Sequence, residues 1–173
     1  MIAELNKDTN AYDSLNEDWC RTNDNPKEFK FGGGAVFYGA SDEESRLNLN
    51  NPTLQKEYLI RLGLDKNIAL DILGYKTGKG GKGFEFMEEL FLIEGMAYDV
   101  YSNIKDYITI YRGSDPKVNI NTANDKILHV ILGEEGVSII NKILEYRKGN
   151  DGEEGTEDDG IFTDDNFSLV FAG

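Results

Sequence analysis

Apolar residues along this chain come in short bursts separated by glycine, and the spacing inside each burst predicts a small element. Residues 6–34 are polar, with Asn, Asp, Gly and Pro26 breaking any apolar period. That stretch reads as extended or looped chain pinned down by Trp19 and Phe29. Within GGGAVFYGA, residues 32–40, the β-like centre at Val36 to Tyr38 is bounded by glycines and predicts an edge strand. After Asn48 the period turns helical. Leu54, Tyr58, Leu59 and Leu62 follow Pro52, which suits a first helical turn, and Gly63 ends the run. A second helix is expected over 66–73.

The GYKTGKGGKGF run at 74–84 interrupts the pattern and reads as a mobile basic loop. Beyond it, Phe86, Leu90, Phe91 and Ile93 return at helical spacing, stop at Gly95, and resume through Tyr98, Tyr101 and Ile104. Two short helices joined at a glycine form a first helical hairpin. Residues 107–111 alternate around Ile108, Thr109 and Ile110 and predict a strand. The chain from Asp115 is turn-like until Val118 and Ile120. Thr122 is then placed to cap a helix, with Asp125 three residues on, and Ile127, Leu128, Ile131 and Leu132 supply its buried stripe. From about Glu134 a further helix carries Val137, Ile140, Ile143, Leu144 and Arg147. This second hairpin repeats the plan of the first, as an internal duplication would.

Composition narrows the function classes. The 173 residues suffice for one ordinary domain or two small ones. Asp and Glu number 32 against 18 Lys and Arg, a net charge of −14. Such a surface repels a phosphate backbone, which disfavours nucleic-acid binding. No apolar run approaches the roughly 18 residues that a membrane span requires. Cys20 is the single cysteine, which excludes an internal disulfide, a thiolate zinc cluster and a CxxC redox pair. His129 is the single histidine. A semi-buried thiol and a helix-surface imidazole are the expected readings of the two.

Three glycine-bearing stretches are candidates for chemistry. The GKGGKG run lacks the GxxxxGK[ST] pattern of a phosphate loop, so its Lys79 and Lys82, with Lys76 just before it, read as part of a solvated linker. The stretch NDGEEGTEDDGIFTDD, residues 150–165, places eight carboxylates in sixteen residues with no Lys or Arg among them. Calcium accepts six to eight hard oxygens in flexible geometry, so a glycine-hinged acidic loop suits it. Asp151, Glu154, Thr156, Asp158 and Asp159 are the expected ligands, with Gly152 and Gly155 letting carbonyls turn inward. The spacing is not that of an EF-hand, and a solvated loop without metal is the competing reading. In the third stretch, residues 125–147, two helices flank a glycine turn. A helix-hairpin-helix that grips DNA offers amides and lysines to phosphate, whereas this one offers Glu134 and Glu135, so packing or protein contact is expected. For catalysis the chain shows carboxylates but no convergent partner groups. Its nine tyrosines are dispersed as core or rim residues.

Several segments taken in order carry a resemblance: YDSLNEDW (12–19), DEESRLNLNN (42–51), EELFLIEGM (88–96), ITIYRGSDPKVNINTA (108–123) and the R-x-G-x-DG-x-x-GT-x-DDG-x-F tail from Arg147. Together they resemble the type II secretion minor pseudopilins of the general secretion pathway protein K family, over about Tyr12 to Phe167. NINTA alone is shared with competence-type DNA receptors; the ordered set is more specific. The resemblance implies an α+β fold, mainly α, in which two sterile-alpha-motif-like helical units are inserted into a small pseudopilin β-sheet. The expected partition is 1–47 as extended segment and part of the sheet, 48–106 as first helical unit, 107–121 as strand and connector, and 122–173 as second helical unit with the acidic loop.

It further implies a non-catalytic tip component of the secretion pseudopilus, assembled with minor pseudopilins I and J in the periplasm and anchored in the inner membrane. Calcium binding is a family property, and the loop around Asp151 to Asp159 is similar to the calcium loop of the major pseudopilin. No hydrophobic anchor precedes Ile2 and little sequence follows Phe171, so a fragment lacking the anchor and the end of the sheet is expected. The runner-up is a competence-type nucleic-acid receptor using the same hairpins. A secreted calcium-dependent hydrolase is a third reading, and it needs a convergent pocket that the sequence does not reveal.

Overall fold

A computed structural model of the chain describes residues 8–20, 26–78, 80–111 and 117–171, and the fold is α+β, built of short helices and small two-stranded sheets. In chain order the elements are β1 (Lys27–Phe31), β2 (Gly34–Tyr38), β3 (Leu47–Asn48), α1 (Lys56–Arg61), α2 (Lys66–Gly78), α3 (Tyr98–Ile104), β4 (Ile108–Thr109), α4 (Asp125–Leu132), α5 (Val137–Arg147) and α6 (Phe167–Phe171). Short 3-10 turns fill several of the connections. The chain divides into two units, and the division falls inside α5.

One unit comprises Glu43–Val118 and Ala123–Ile140. Its core is the apolar stripe of each helical burst: Leu59 and Leu62 beside α1, Ile68, Ala69 and Ile72 of α2, and Ile127, Leu128 and Val130 of α4 are all buried. α1 packs on both α2 and α4. Gly63 ends the first burst at φ +109°, a conformation that L side chains rarely adopt. Parallel strands β3 and β4 pair Leu47 with Ile108 and Asn48 with Thr109. Two asparagines then do the work that a longer sheet would do. Asn50 accepts from the Phe84 amide at 2.7 Å and donates to the carbonyls of Phe84 at 2.9 Å and Ile110 at 2.8 Å. Asn48 donates to the Tyr111 carbonyl at 2.7 Å.

The other unit comprises Met1–Asp42, Asn119–Thr122 and Asn141–Gly173. Its spine is the tetrapeptide at 119–122. Asn121 exchanges two bonds with the Phe162 backbone, accepting from N–H at 2.7 Å and donating to C=O at 3.0 Å. Asn119 donates to the Asp13 carbonyl and to Asp42 Oδ2, both at 3.0 Å, and Thr122 Oγ1 donates to the same Asp42 oxygen at 2.5 Å. Around Phe162 gather Tyr146, Phe167 and Phe171, with ring centroids 4.7, 6.0 and 5.9 Å away.

Several elements depart from the sequence pattern. α2 continues to Gly78, so the first residues of the predicted basic loop are helical. Tyr75 stacks on Phe84 at 5.1 Å and Lys76 Nζ donates to the Asn51 carbonyl at 2.6 Å, which holds that turn in place. Lys79 lies outside the described residues. Pro52 precedes α1 rather than opening it. Residues Met87–Leu92 form a 3-10 helix instead of an α-helix. The strand expected over 107–111 contracts to Ile108–Thr109, and Asp115 lies outside the described residues. Thr122 does not cap α4, because its hydroxyl is given to Asp42. Asn124 caps instead, accepting from the Ile127 amide at 2.9 Å. Phe29 pins nothing: it stands on β1 and is 61% exposed, whereas Trp19 is buried as expected.

Candidate metal centre

The acidic loop begins where α5 ends on a buried cation. Arg147 is 3% exposed, donates to the Ile120 carbonyl at 3.2 Å and pairs with Glu154 Oε1 at 2.8 Å. Burial pushes its pKa down, and Glu154 and Asp159 pull it back up. A buried guanidinium requires a carboxylate nearby, and this one folds the loop back over the end of the helix.

Glycines then set the path. Gly149 has φ +58°, and a Cβ there would lie 2.4 Å from the Asp158 carbonyl oxygen, so the two arms of the loop touch backbone to backbone. Asp158 Oδ2 accepts from the amides of Asn150 at 2.6 Å and Asp151 at 3.3 Å. Thr156 Oγ1 sits between two carboxylates, 2.9 Å from Asp158 Oδ1 and 3.1 Å from Asp159 Oδ1. Asp159 Oδ2 accepts from the Gly155 amide at 2.7 Å. The Asn150 amide first, then the Thr156 hydroxyl, holds the Asp158 carboxyl below its usual value of 3.8. At the far arm the Gly160 amide donates to the Tyr146 carbonyl at 3.0 Å, closing the loop onto α5.

Of the five expected ligands, this geometry brings four close, with the Asp151 side chain beside Asp158. Thr156, Asp158 and Asp159 converge through one hydroxyl, in a turn whose spacing is i, i+2, i+3. Asp151 directs Oδ1 to the Glu153 amide at 2.8 Å, and Glu154 is engaged by Arg147. The converging trio offers oxygen donors only, the chemistry that calcium takes, and the glycine-freed carbonyls of the same loop can add to it. Calcium bound there would supply positive charge against mutually repelling carboxylates.

A second acidic group escaped the sequence reading. Asp8, Asp13 and Glu17 each place a carboxylate oxygen within 4.8 Å of the others, the one such trio among the described residues. Glu17 already accepts from Asn10 Nδ2 at 2.7 Å and from the Ser14 amide at 2.8 Å. Burial first, then Asp42, Glu17 and Asp8, raises the pKa of Asp13 above 3.8. The only signal for this cluster was DSLNE inside a stretch read as loop. Of the remaining candidates, Cys20 is buried, and His129 lies on α4 with Nδ1 3.2 Å from Asp125 Oδ1.

No protein-family model, curated protein or solved structure matches this chain.

Proposed function

We propose that this protein is a structural tip component of a type II secretion pseudopilus, a minor pseudopilin of the K type, that assembles with minor pseudopilins I and J and performs no reaction. The observation that carries the reading is where the resembling segments lie. DEESRLNLNN supplies Asn48 and Asn50, which bond to backbone of the ITIYR segment, and NINTA supplies Asn119, Asn121 and Thr122, which tie together residues 13, 42 and 162. The residues that give the chain its resemblance are thus those that fasten each unit, as a fold signature requires. The two helical hairpins are read as sterile-alpha-motif-like units, and the acidic loop as a calcium clamp through Thr156, Asp158 and Asp159 that stiffens the second of them. Such a tip sits in the periplasm, carried by an inner-membrane helix.

The competence-type receptor reading is weakened by the turn between α4 and α5. That turn carries Glu134 and Glu135 where phosphate would demand cations. A pull-down decides between them. Retention of this chain by the tagged soluble parts of I and J supports the tip reading; flow-through there, with tight salt-sensitive retention on duplex DNA, replaces it with the receptor.

A further inference from the structure

The β1–β2 hairpin exposes much of its apolar surface. Phe29, Phe31, Val36 and Phe37 are 61%, 54%, 48% and 64% exposed, and Phe29 stacks on Phe31 at 6.4 Å. A two-stranded hairpin is marginal in water, and three or more strands with an apolar face are needed for independent stability. Among the described residues, no strand pairs with the outer edge of β1.

That edge has a definite hydrogen-bonding phase. Gly32 and Gly33 form a two-residue turn with positive φ at Gly32 alone, the pattern of a type II′ hairpin, and Phe31 pairs directly with Gly34. The pair flanking such a turn exchanges both backbone bonds, so Phe31, Phe29 and Lys27 point N–H and C=O at β2. Alternation turns those of Glu28 and Lys30 outward. The strand reads Lys27-Glu28-Phe29-Lys30-Phe31, and this order is self-complementary. Laid antiparallel on a second copy and centred on Phe29, it sets Glu28 opposite Lys30 of the other chain, and Lys30 opposite Glu28. Those are the residues whose backbone groups are available; within one chain Lys30 Nζ also lies 3.3 Å from Glu28 Oε2, with both side chains exposed, and this register gives each charge an opposite neighbour across the seam as well. Phe29 then faces Phe29 across the two-fold axis as a non-hydrogen-bonded pair, the closer of the two antiparallel arrangements.

We propose that β1 is a homotypic docking edge: two copies of this chain join their hairpins through antiparallel β1–β1 pairing into one four-stranded sheet. The inference stands on the hairpin alone and is independent of the pseudopilus reading. Each copy carries −14, so the association belongs at about 0.15 M salt or above, where a Debye length of about 8 Å leaves close pairs intact and screens the rest. An edge this short falls in the weak interface class, with dissociation constants on the order of 0.1–1 mM.

Sedimentation equilibrium up to about 1 mM protein tests it. The chain should show a reversible monomer–dimer equilibrium. K30E opposes Glu28 to a glutamate and E28K opposes Lys30 to a lysine, and each should weaken the dimer about tenfold. The double variant E28K/K30E restores both opposite pairs and should recover it; because that swap also restores the ion pair within one chain, an equimolar mixture of E28K and K30E chains, opposite in charge along β1, should form a mixed dimer that neither forms alone. In parallel, F29C should give a covalent dimer on oxidation, since it places two thiols on the axis while the native Cys20 is buried. A monomer throughout the range, or single and double variants that associate alike, overturns the proposal. So does an edge whose K30E change abolishes binding to I or J while no dimer forms, because the occupant is then a partner's strand.

Discussion

Single side chains here replace lengths of sheet, and their removal should be felt accordingly. Asn50 makes three backbone bonds to Phe84 and Ile110, so Asn50→Ala leaves buried amide and carbonyl groups unpaired and should cost about 2–3 kcal/mol in urea unfolding. Arg147→Ala removes a cation that pairs with Glu154 and bonds to Ile120. It should cost about 3 kcal/mol and loosen the acidic loop, whereas a change smaller than about 1 kcal/mol would mean that the pair is incidental. Two carboxyls should titrate on opposite sides of 3.8 in a carbon-detected NMR titration. Asp158 is held low, so the stability it contributes is complete above the ordinary carboxylate value and is lost as pH falls through its depressed folded value. Asp13 is held high by burial, so ionising it costs the fold, and that cost is relieved as pH drops through its raised value. Midpoints in the reverse order would contradict the hydrogen bonding described for the loop.

At the scale of elements, glycine sets the limits of the loop. Gly149→Ala puts a Cβ against the Asp158 carbonyl at a positive φ, and should destabilise by about 1–3 kcal/mol. Gly152 also has positive φ, but a Cβ there would meet nothing within 4 Å, so Gly152→Ala should cost about 1 kcal/mol, and a circular-dichroism melt series compares them. Helices α1 to α5 were legible because Leu59, Ile72, Ile104, Ile127 and Ile140 stand at helical spacing and are buried where that spacing puts them, whereas α6 was not expected from the sequence. What was not legible depended on distant partners. β1 looked like loop because its apolar side chains are exposed and only the register with β2 makes it a strand. Thr122 had the composition of a cap, but Asp42, eighty residues away in sequence, takes its hydroxyl. The last turns of α2 were hidden by their glycines, since the stack of Tyr75 on Phe84 is a tertiary event. In the candidate site, composition and glycine spacing picked out the loop. Which of its carboxylates converge was set by Arg147 claiming Glu154 and by Thr156 reaching two aspartates, neither of which leaves a mark on sequence spacing.

For the molecule as a whole, the proposed role is mechanical: short helices fastened by asparagines, an acidic loop that a calcium ion would stiffen, and, under that proposal, partner subunits held without any reaction. Excess calcium should raise the melting temperature by about 5–10 °C over a chelated sample if the loop binds at concentrations well above its dissociation constant. An unchanged melt removes calcium from the account without touching the assembly. The assembly itself is tested most directly by multi-angle light scattering of this chain mixed with the soluble parts of minor pseudopilins I and J. A single peak with the mass of one copy of each is the expected result. Three separate peaks at their individual masses, at concentrations where I and J join each other, would contradict it.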